Sequence, residues 1–118
     1  MSIQSTIYIS MPIYNAQEYL TNCLETIKNQ TYSNFVCVMV NDGSTDSSPK
    51  ICAEYAQDKR FVLLTQENKG VGAARNTSLD YIIAHASDND FLTYIDADDT
   101  IPLHFFERFI EVLNKDIP

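Results

Sequence analysis

Three carboxylates fall within four positions at Asp96-Ala97-Asp98-Asp99, directly after the apolar run Phe91-Leu92-Thr93-Tyr94-Ile95. Like charges this close repel, so the cluster costs stability unless something cationic compensates. A set of carboxylate oxygens suits a hard divalent ion, commonly one shared with a phosphate-bearing substrate. The chemistry expected is therefore metal-assisted and acts on a phosphorylated ligand. A solvated acidic surface run is the plain alternative, and the position at the end of a strand that reads as buried weighs against it.

Three further segments hold residues of chemical interest. Asp42 lies in Asn41-Asp42-Gly43-Ser44-Thr45-Asp46, where an Asx-turn needs an Asp or Asn and Gly43 supplies a positive φ. The functional alternative is a carboxylate that accepts from an imide N–H, such as N3–H of uracil, and both readings hold if different residues of the loop carry them. Pro12-Ile13-Tyr14-Asn15 reads as a strand stop followed by a helix cap, with Tyr14 either packed on the core or offered as a ring on which a base stacks. Lys69-Gly70-Val71-Gly72-Ala73-Ala74-Arg75 opens a helix and is glycine-rich, which suits close approach of backbone to a ligand. It is not a Walker loop, since no G-K-S/T follows, and Arg75 stands where a dinucleotide fingerprint has its third glycine. Arg75 is placed either to meet a site carboxylate or a diphosphate, or to be an ordinary helix-surface residue. His85 and His104 show no ligand spacing to each other.

The elements that must position these groups alternate between strand and helix patterns with short connections, as in an α/β domain with a mainly parallel sheet. Strands are expected at Thr6–Met11 (stopped by Pro12), Phe35–Val40, Phe61–Thr65 and Phe91–Ile95. The second is continuously apolar, as a central strand buried on both faces should be. A helix over Ala16–Asn29 carries Leu20, Cys23, Leu24 and Ile27 on one face, with Asn15 as its N-cap and Glu18 as the reciprocal partner. A second begins with Ser48 as cap and Pro49 at its first position, and buries Ile51, Cys52, Tyr55 and Ala56. A third, Gly72 to Ala86, turns Leu79, Ile82, Ile83 and Ala86 inward, and Pro102 opens a last one with Phe106, Phe109, Ile110 and Leu113 on its face. In this arrangement the four segments of interest all sit at the carboxyl ends of strands, the edge at which open α/β sheets bind ligands.

A chain of 118 residues reads as one domain with room for a hydrophobic core. The net charge of −8 provides no basic stripe for nucleic acid and no attraction to an anionic membrane surface. Cys23, Cys37 and Cys52 are scattered through apolar stretches without metal spacing, so they read as small core residues in a reducing compartment. No signal peptide and no membrane-spanning run is visible. A cytosolic setting is expected, with the inner face of a membrane reached only through other segments or partners.

Taken in order, Ile9-Ser10-Met11-Pro12-Ile13-Tyr14-Asn15, Val40-Asn41-Asp42-Gly43-Ser44-Thr45-Asp46, Glu67-Asn68-Lys69-Gly70-Val71-Gly72-Ala73-Ala74-Arg75-Asn76 and Asp96-Ala97-Asp98-Asp99 closely resemble the N-terminal, nucleotide-sugar-binding half of family 2 glycosyltransferases. The resemblance runs through nearly the whole chain and implies a GT-A, Rossmann-like fold. It further implies a nucleotide-diphospho-sugar donor, expected to be a UDP-sugar, and Mn²⁺ or Mg²⁺ as cofactor. The acceptor would be a saccharide, lipid or protein hydroxyl, in a setting such as bacterial surface-polysaccharide synthesis. By the same resemblance Pro12, Tyr14, Asn15 and Gly70 belong to the donor pocket, with Pro12 and Tyr14 at the base and Asp42 accepting from it. Arg75 would lie near the base and the metal-side carboxylates. Asp96 would touch ribose or sugar hydroxyls beside Ala97, and Asp98 would bind the metal.

In that family the general base lies beyond the D-x-D motif, in the acceptor-binding half. The resemblance therefore covers residues 1–118 as the donor part only, and leaves the catalytic base to be sought beyond Pro118. One alternative is a module that binds a nucleotide sugar without turning it over. A remote one comes from Asp96-Ala97-Asp98-Asp99-Thr100, which also resembles the nucleophile motif of haloacid-dehalogenase-like phosphohydrolases, with Asp96 as nucleophile and Asp98 as acid/base.

Overall fold

The computed structural model describes residues 4–115, in which strands and helices alternate as β1 (Ile7–Ile13), α1 (Gln17–Lys28), β2 (Phe35–Asp42), α2 (Ser48–Tyr55), β3 (Phe61–Gln66), α3 (Val71–His85), β4 (Phe91–Tyr94) and α4 (Phe105–Lys115). All strand pairs are parallel, in the order β3-β2-β1-β4. The first two crossovers step one way along the sheet and the third reverses past β2 and β1. Because such crossovers are right-handed, the reversal places α3 on the face opposite α1 and α2.

The period-2 pleat sorts the side chains accordingly. Ile7, Ile9, Met11 and Ile13 of β1 join Leu20, Leu24 and Ile27 of α1, Cys52 of α2 and Phe106 of α4 in the larger core. Tyr8 of β1, with Val38 and Val40 of β2, meets Ala74 and Ile82 of α3 on the other face. Phe35 anchors the larger core, its ring 5.7 Å from Phe61 and 5.5 Å from Phe106. Gln30, almost fully buried, ties the last helix to the first: its amide nitrogen donates to Pro102 O and Thr26 O, and its oxygen accepts from Phe106 N–H.

Several expectations need correction. Pro12 does not stop β1, which continues to Ile13. Backbone groups alternate along this strand, Ile7 N–H bonding toward β2 while Thr6 O and Ser10 O accept from Phe91 and Ile95 on the β4 side. By that alternation the N–H that Pro12 lacks would face β4, whose pairing ends at Tyr94 opposite Ser10. A proline there removes no ladder bond.

Asn41 and Asp42 likewise complete β2 rather than start a loop. In α3 the buried stripe is Ala74, Ser78 and Ile82, while Ile83 is 76% exposed and not inward. Small side chains at 74 and 78 let the helix lie close on the sheet, where Ser78 Oγ meets Ser10 Oγ at 2.5 Å, a polar pairing invisible to a search for apolar periodicity. Finally, among the described residues β4 lies at the edge of the sheet with alternate residues exposed. Since α3 packs over β1 and β2, Leu92 and Tyr94 are left open to solvent.

Candidate nucleotide-sugar site

The cleft begins with two loops that cap each other. Asn15 is not a side-chain N-cap of α1; its backbone takes φ +47° and its Oδ1 accepts from Thr45 N–H at 2.8 Å. The cap position falls to Ala16, whose side chain has nothing to accept with. The free N–H groups at the start of α1 go instead to the β2–α2 loop. Asn15 N–H donates to Ser44 Oγ at 3.0 Å, Ala16 N–H to Ser48 Oγ at 2.9 Å and Gln17 N–H to Asp46 Oδ2 at 3.1 Å. Gln17 Oε1 returns the bond by accepting from Ser47 N–H at 2.9 Å.

Ser48 is correspondingly the first residue of α2 rather than its cap, and its N–H is held by Asp46 Oδ1 at 2.8 Å. Burial works against the charge on Asp46, but the bonds from Ser48 and Gln17 outweigh it and hold its pKa below the ordinary value. The Asx-turn bond, two residues on, is that of Asp46 to Ser48 N–H, while Asn41 braces the loop by accepting from Ser44 N–H, three residues on, at 3.0 Å.

Asp42 is thereby free for another task. Its side chain follows Val38 and Val40 onto the α3 face and is 3% exposed. Oδ1 accepts from Lys69 N–H at 2.8 Å and from Gln66 Nε2 at 3.0 Å, and Oδ2 from Gly70 N–H at 2.9 Å. The Lys69 bond leads in lowering its pKa, burial opposes, and the Gln66 and Gly70 bonds add to the lowering. Asp42 is thus an ionised acceptor that also shapes the 68–70 turn.

Two glycines make that turn possible. Gly43 has φ +71°, and a Cβ there would stand 2.7 Å from the backbone nitrogen of Asn68. Gly70 has φ +98° with open space around it, so backbone conformation alone demands glycine.

At the far side, Asp96-Ala97-Asp98-Asp99 is a turn closed by Asp99 N–H on Asp96 O at 3.0 Å. Ile95 and Ala97 are buried and root the turn in the core, so the carboxylates of Asp96, Asp98 and Asp99 project outward. One oxygen of each lies within 4.8 Å of the others. Such a hard-oxygen set fits Mg²⁺ or Mn²⁺. Beneath it, burial and the charges of Asp99, Asp98 and Asp96 push the Cys23 thiol up to about 12, which leaves that cysteine inert at neutral pH.

Arg75 reaches toward this turn from α3, with Nη2 3.6 Å from Asp96 Oδ1 and the guanidinium over the Tyr94 ring. Its Nε–H is buried and meets no acceptor among the described residues. The rest of the guanidinium is part-exposed and only loosely paired with Asp96, which puts a cationic group beside the three carboxylates where a ligand oxygen could meet it.

Between these regions runs a cleft of about 280 Å³, lined by Pro12, Ile13, Tyr14, Asp42, Asn68, Gly70, Val71, Asp96 and Ala97. It lies where the strand order reverses, at the carboxyl ends of the strands, the expected ligand position for this sheet type. Tyr14 is 52% exposed. Pro12, Tyr14, Asp42, Gly70, Asp96 and Ala97 therefore share one cleft. Asp98 stands beside the cleft in the acidic turn, Arg75 borders a neighbouring groove with Tyr94, and Asn15 is spent on Thr45. Ile13, Asn68 and Val71 also line the cleft and fall inside the recognised motifs, though not singled out as site residues there; Gln66, which bonds Asp42, had no signal of its own. A roomier groove of about 530 Å³ between α1 and α2, lined by Glu25, Lys28, Glu54, Tyr55, Gln57 and Asp58, sits at the opposite edge of the sheet, away from all of these residues.

The model of the family described as "Glycosyl transferase family 2" matches residues 8–117. The chain belongs to that family. This match sets aside the dehalogenase-like reading of Asp96. Among family 2 relatives, the chain is 40% identical over 118 residues to glycosyltransferase GlyA of Streptococcus pneumoniae serotype 4, covering 99% of this chain and 16% of the relative. It is 41% identical over 99 residues to putative glycosyltransferase EpsH of Bacillus subtilis, covering 83% of this chain and 27% of the relative. The chain thus spans well under half the length of these relatives. The crystal structure of S. aureus TarS 1–349 in complex with UDP superposes with a TM-score of 0.81 at 24% identity, over 93% of this chain and 32% of that one. The complex of TarS 1–349 with UDP-GlcNAc gives the same TM-score, over 95% of this chain. These likenesses confirm the GT-A fold, a parallel sheet flanked by helices.

Proposed function

We propose that the cleft binds a nucleotide-diphospho-sugar, with UDP as its nucleotide, and that the chain is the donor-binding part of a transferase that moves the sugar onto a saccharide, lipid or protein hydroxyl. The observation that carries this reading is the pairing of opposite chemistries at the two ends of one cleft. At one end Asp42 offers a buried acceptor beside an exposed Tyr14 ring, as a base with a ring N–H requires. At the other, three outward carboxylates stand beside the part-exposed Arg75 guanidinium, as a diphosphate and its counter-ion require. The crystal structures of TarS, a protein of the same fold, in complex with UDP and with UDP-GlcNAc lend support.

In the proposed complex Asp98, with Asp96 and Asp99 near it, holds a divalent ion. The chemistry such an ion supplies is positive charge against the leaving diphosphate. Arg75 adds a fixed cationic donor, and the Gly70 turn lets backbone approach the ligand. Asp99 is assigned no proton-transfer role, and the general base is proposed to lie in a part of the enzyme beyond this chain. On its own the chain is proposed to bind donor without transferring it.

Calorimetric titration with UDP tests the reading, with and without Mn²⁺, on the native chain and on Asp98→Ala. Metal-dependent binding that the substitution abolishes is the expected result. A native chain that is folded by circular dichroism yet takes up no UDP with Mn²⁺ present would refute it.

A further inference from the structure

Asp42 ends β2 directly opposite Gln66, which ends β3, and the pleat turns both side chains toward α3. Gln66 Nε2 donates to Asp42 Oδ1 at 3.0 Å, while Gln66 Oε1 accepts from Thr77 Oγ1 of α3 at 2.5 Å. The hydroxyl of Thr77 also lies 3.1 Å from Ala73 O, but it has one hydrogen, and the shorter contact claims it. The amide cannot be turned over without presenting oxygen to the carboxylate, so the relay has one direction. It runs from Thr77 O–H to Gln66 C=O, and from Gln66 N–H to Asp42.

The consequence lies in which lone pairs remain. An ionised carboxylate has about four acceptor positions. Gln66 and Lys69 N–H occupy those of Oδ1, and Gly70 N–H takes one at Oδ2. One position at Oδ2 is left, on a side chain that lines the cleft.

We infer that Gln66 and Thr77 are positioning residues that set the nucleobase preference of the cleft. Gln66, held by Thr77, fills Oδ1 together with Lys69 N–H and so leaves Asp42 a single acceptor position, at Oδ2. That acceptor favours uracil, whose N3 carries a hydrogen, over cytosine, whose N3 is itself an acceptor. The inference rests on the cleft being a nucleotide site, and it adds that selectivity depends on two residues that need not touch the ligand.

The experiment compares UDP and CDP affinities in Mn²⁺ for the native chain, Asp42→Asn, Gln66→Leu, Thr77→Val and Thr77→Ser. Thr77→Val is nearly isosteric and removes only the relay's first donor. It is expected to weaken UDP binding about three- to tenfold, the effect of one lost hydrogen bond. CDP affinity should change little, so the UDP-to-CDP ratio shrinks. Gln66→Leu should shrink it further, and Thr77→Ser, which keeps the hydroxyl, should restore it. The Mn²⁺ concentration for half-maximal binding should stay put in every variant, because the acidic turn is untouched.

If Asp42→Asn lowers the ratio while Thr77→Val and Gln66→Leu, folded by circular dichroism, keep the native one, the site reading stands and the relay is overturned. Equal loss of UDP and CDP affinity in Thr77→Val would reduce the relay to a structural brace, and also overturns it. A native chain that binds neither nucleotide removes the site reading, and the inference with it.

Discussion

The two ends of the cleft are built on opposite plans. The Asp42 end is buried, and its donors and acceptors are matched in advance: loops from β1 and β2 cap each other's helices, and Asp42 holds the turn that follows β3. Among the described residues, the acidic end follows an edge strand, leaves three carboxylates in solvent and leaves an arginine Nε–H without a partner. The contrast separates a region stable without ligand from one whose charges need a ligand to balance them. Substitutions at the first should therefore be felt in folding, and at the second in binding.

The sharpest way to break this comparison is Asp42→Ala. It strands two backbone N–H groups and the Gln66 amide in a buried place, and an unsatisfied buried group costs about 1–3 kcal/mol. A total loss of about 3 kcal/mol is expected by urea denaturation; a loss under about 1 kcal/mol would mean that water reaches these donors and the end is not prebuilt. Gly43→Ala comes next, since its Cβ would meet the Asn68 backbone at 2.7 Å in a left-handed conformation. A cost of about 2 kcal/mol is expected, with the 68–70 turn displaced in amide chemical shifts.

Acid should act more gently, through Asp42 and Asp46 at this end and through Asp58 and Asp90 at the opposite edge of the sheet. The folded pKa values of Asp42, Asp46, Asp58 and Asp90 are all lowered. Arg60 is the leading cause at Asp58, whereas at Asp90 burial opposes and bonds from Ser87 and Thr6 prevail. A lowered folded pKa stabilises the fold above the unfolded value of about 3.9, and that contribution is lost as pH falls through the folded value. The urea midpoint from these groups should hold steady from pH 7 to about 5 and drop below about 4, and Asp42→Asn should flatten that drop. A midpoint that instead fell between pH 7 and 5.5 would contradict the assignment.

The smallest effect sharpens the other side. Asp98→Ala should change the ligand-free unfolding free energy, read from urea denaturation, by no more than about 0.5 kcal/mol, toward greater stability, because it relieves repulsion among exposed carboxylates. A large destabilisation by Asp98→Ala would show that the acidic turn is structural and dissolve the contrast.

Much of the molecule was legible before its shape was known, though unevenly. The continuous apolar run at Phe35–Val40 announced a central strand, and Leu20, Cys23, Leu24 and Ile27 kept helical spacing, because burial on one face imposes its period on the residues that supply it. The D-A-D-D turn, the N-D-G-S-T loop and the glycine-rich helix start stood out because charge and φ demands restrict residue type. Pro12 was misread as a strand stop because its effect depends on which neighbour its missing N–H would face. Ile83 was misread because α3 presents alanine and serine to the sheet. Gln66 was passed over because nothing in its own segment distinguishes it from a surface glutamine.

What the sequence determined by itself was the alternation of elements, a parallel sheet, and the placing of four chemically suggestive loops at one edge. Those features follow from local periodicity and from the handedness of crossovers, which need no knowledge of distant contacts. Tertiary structure alone decided that helix α1 is capped from 29 to 32 positions away, that Asn15 serves a neighbouring loop, that Asp42 is bound by the turn after β3, and that β4 has an open face. Hydrogen-bond partners and exposure are set by which segments the folded chain brings together, and a polar side chain carries no mark of the partner it will meet.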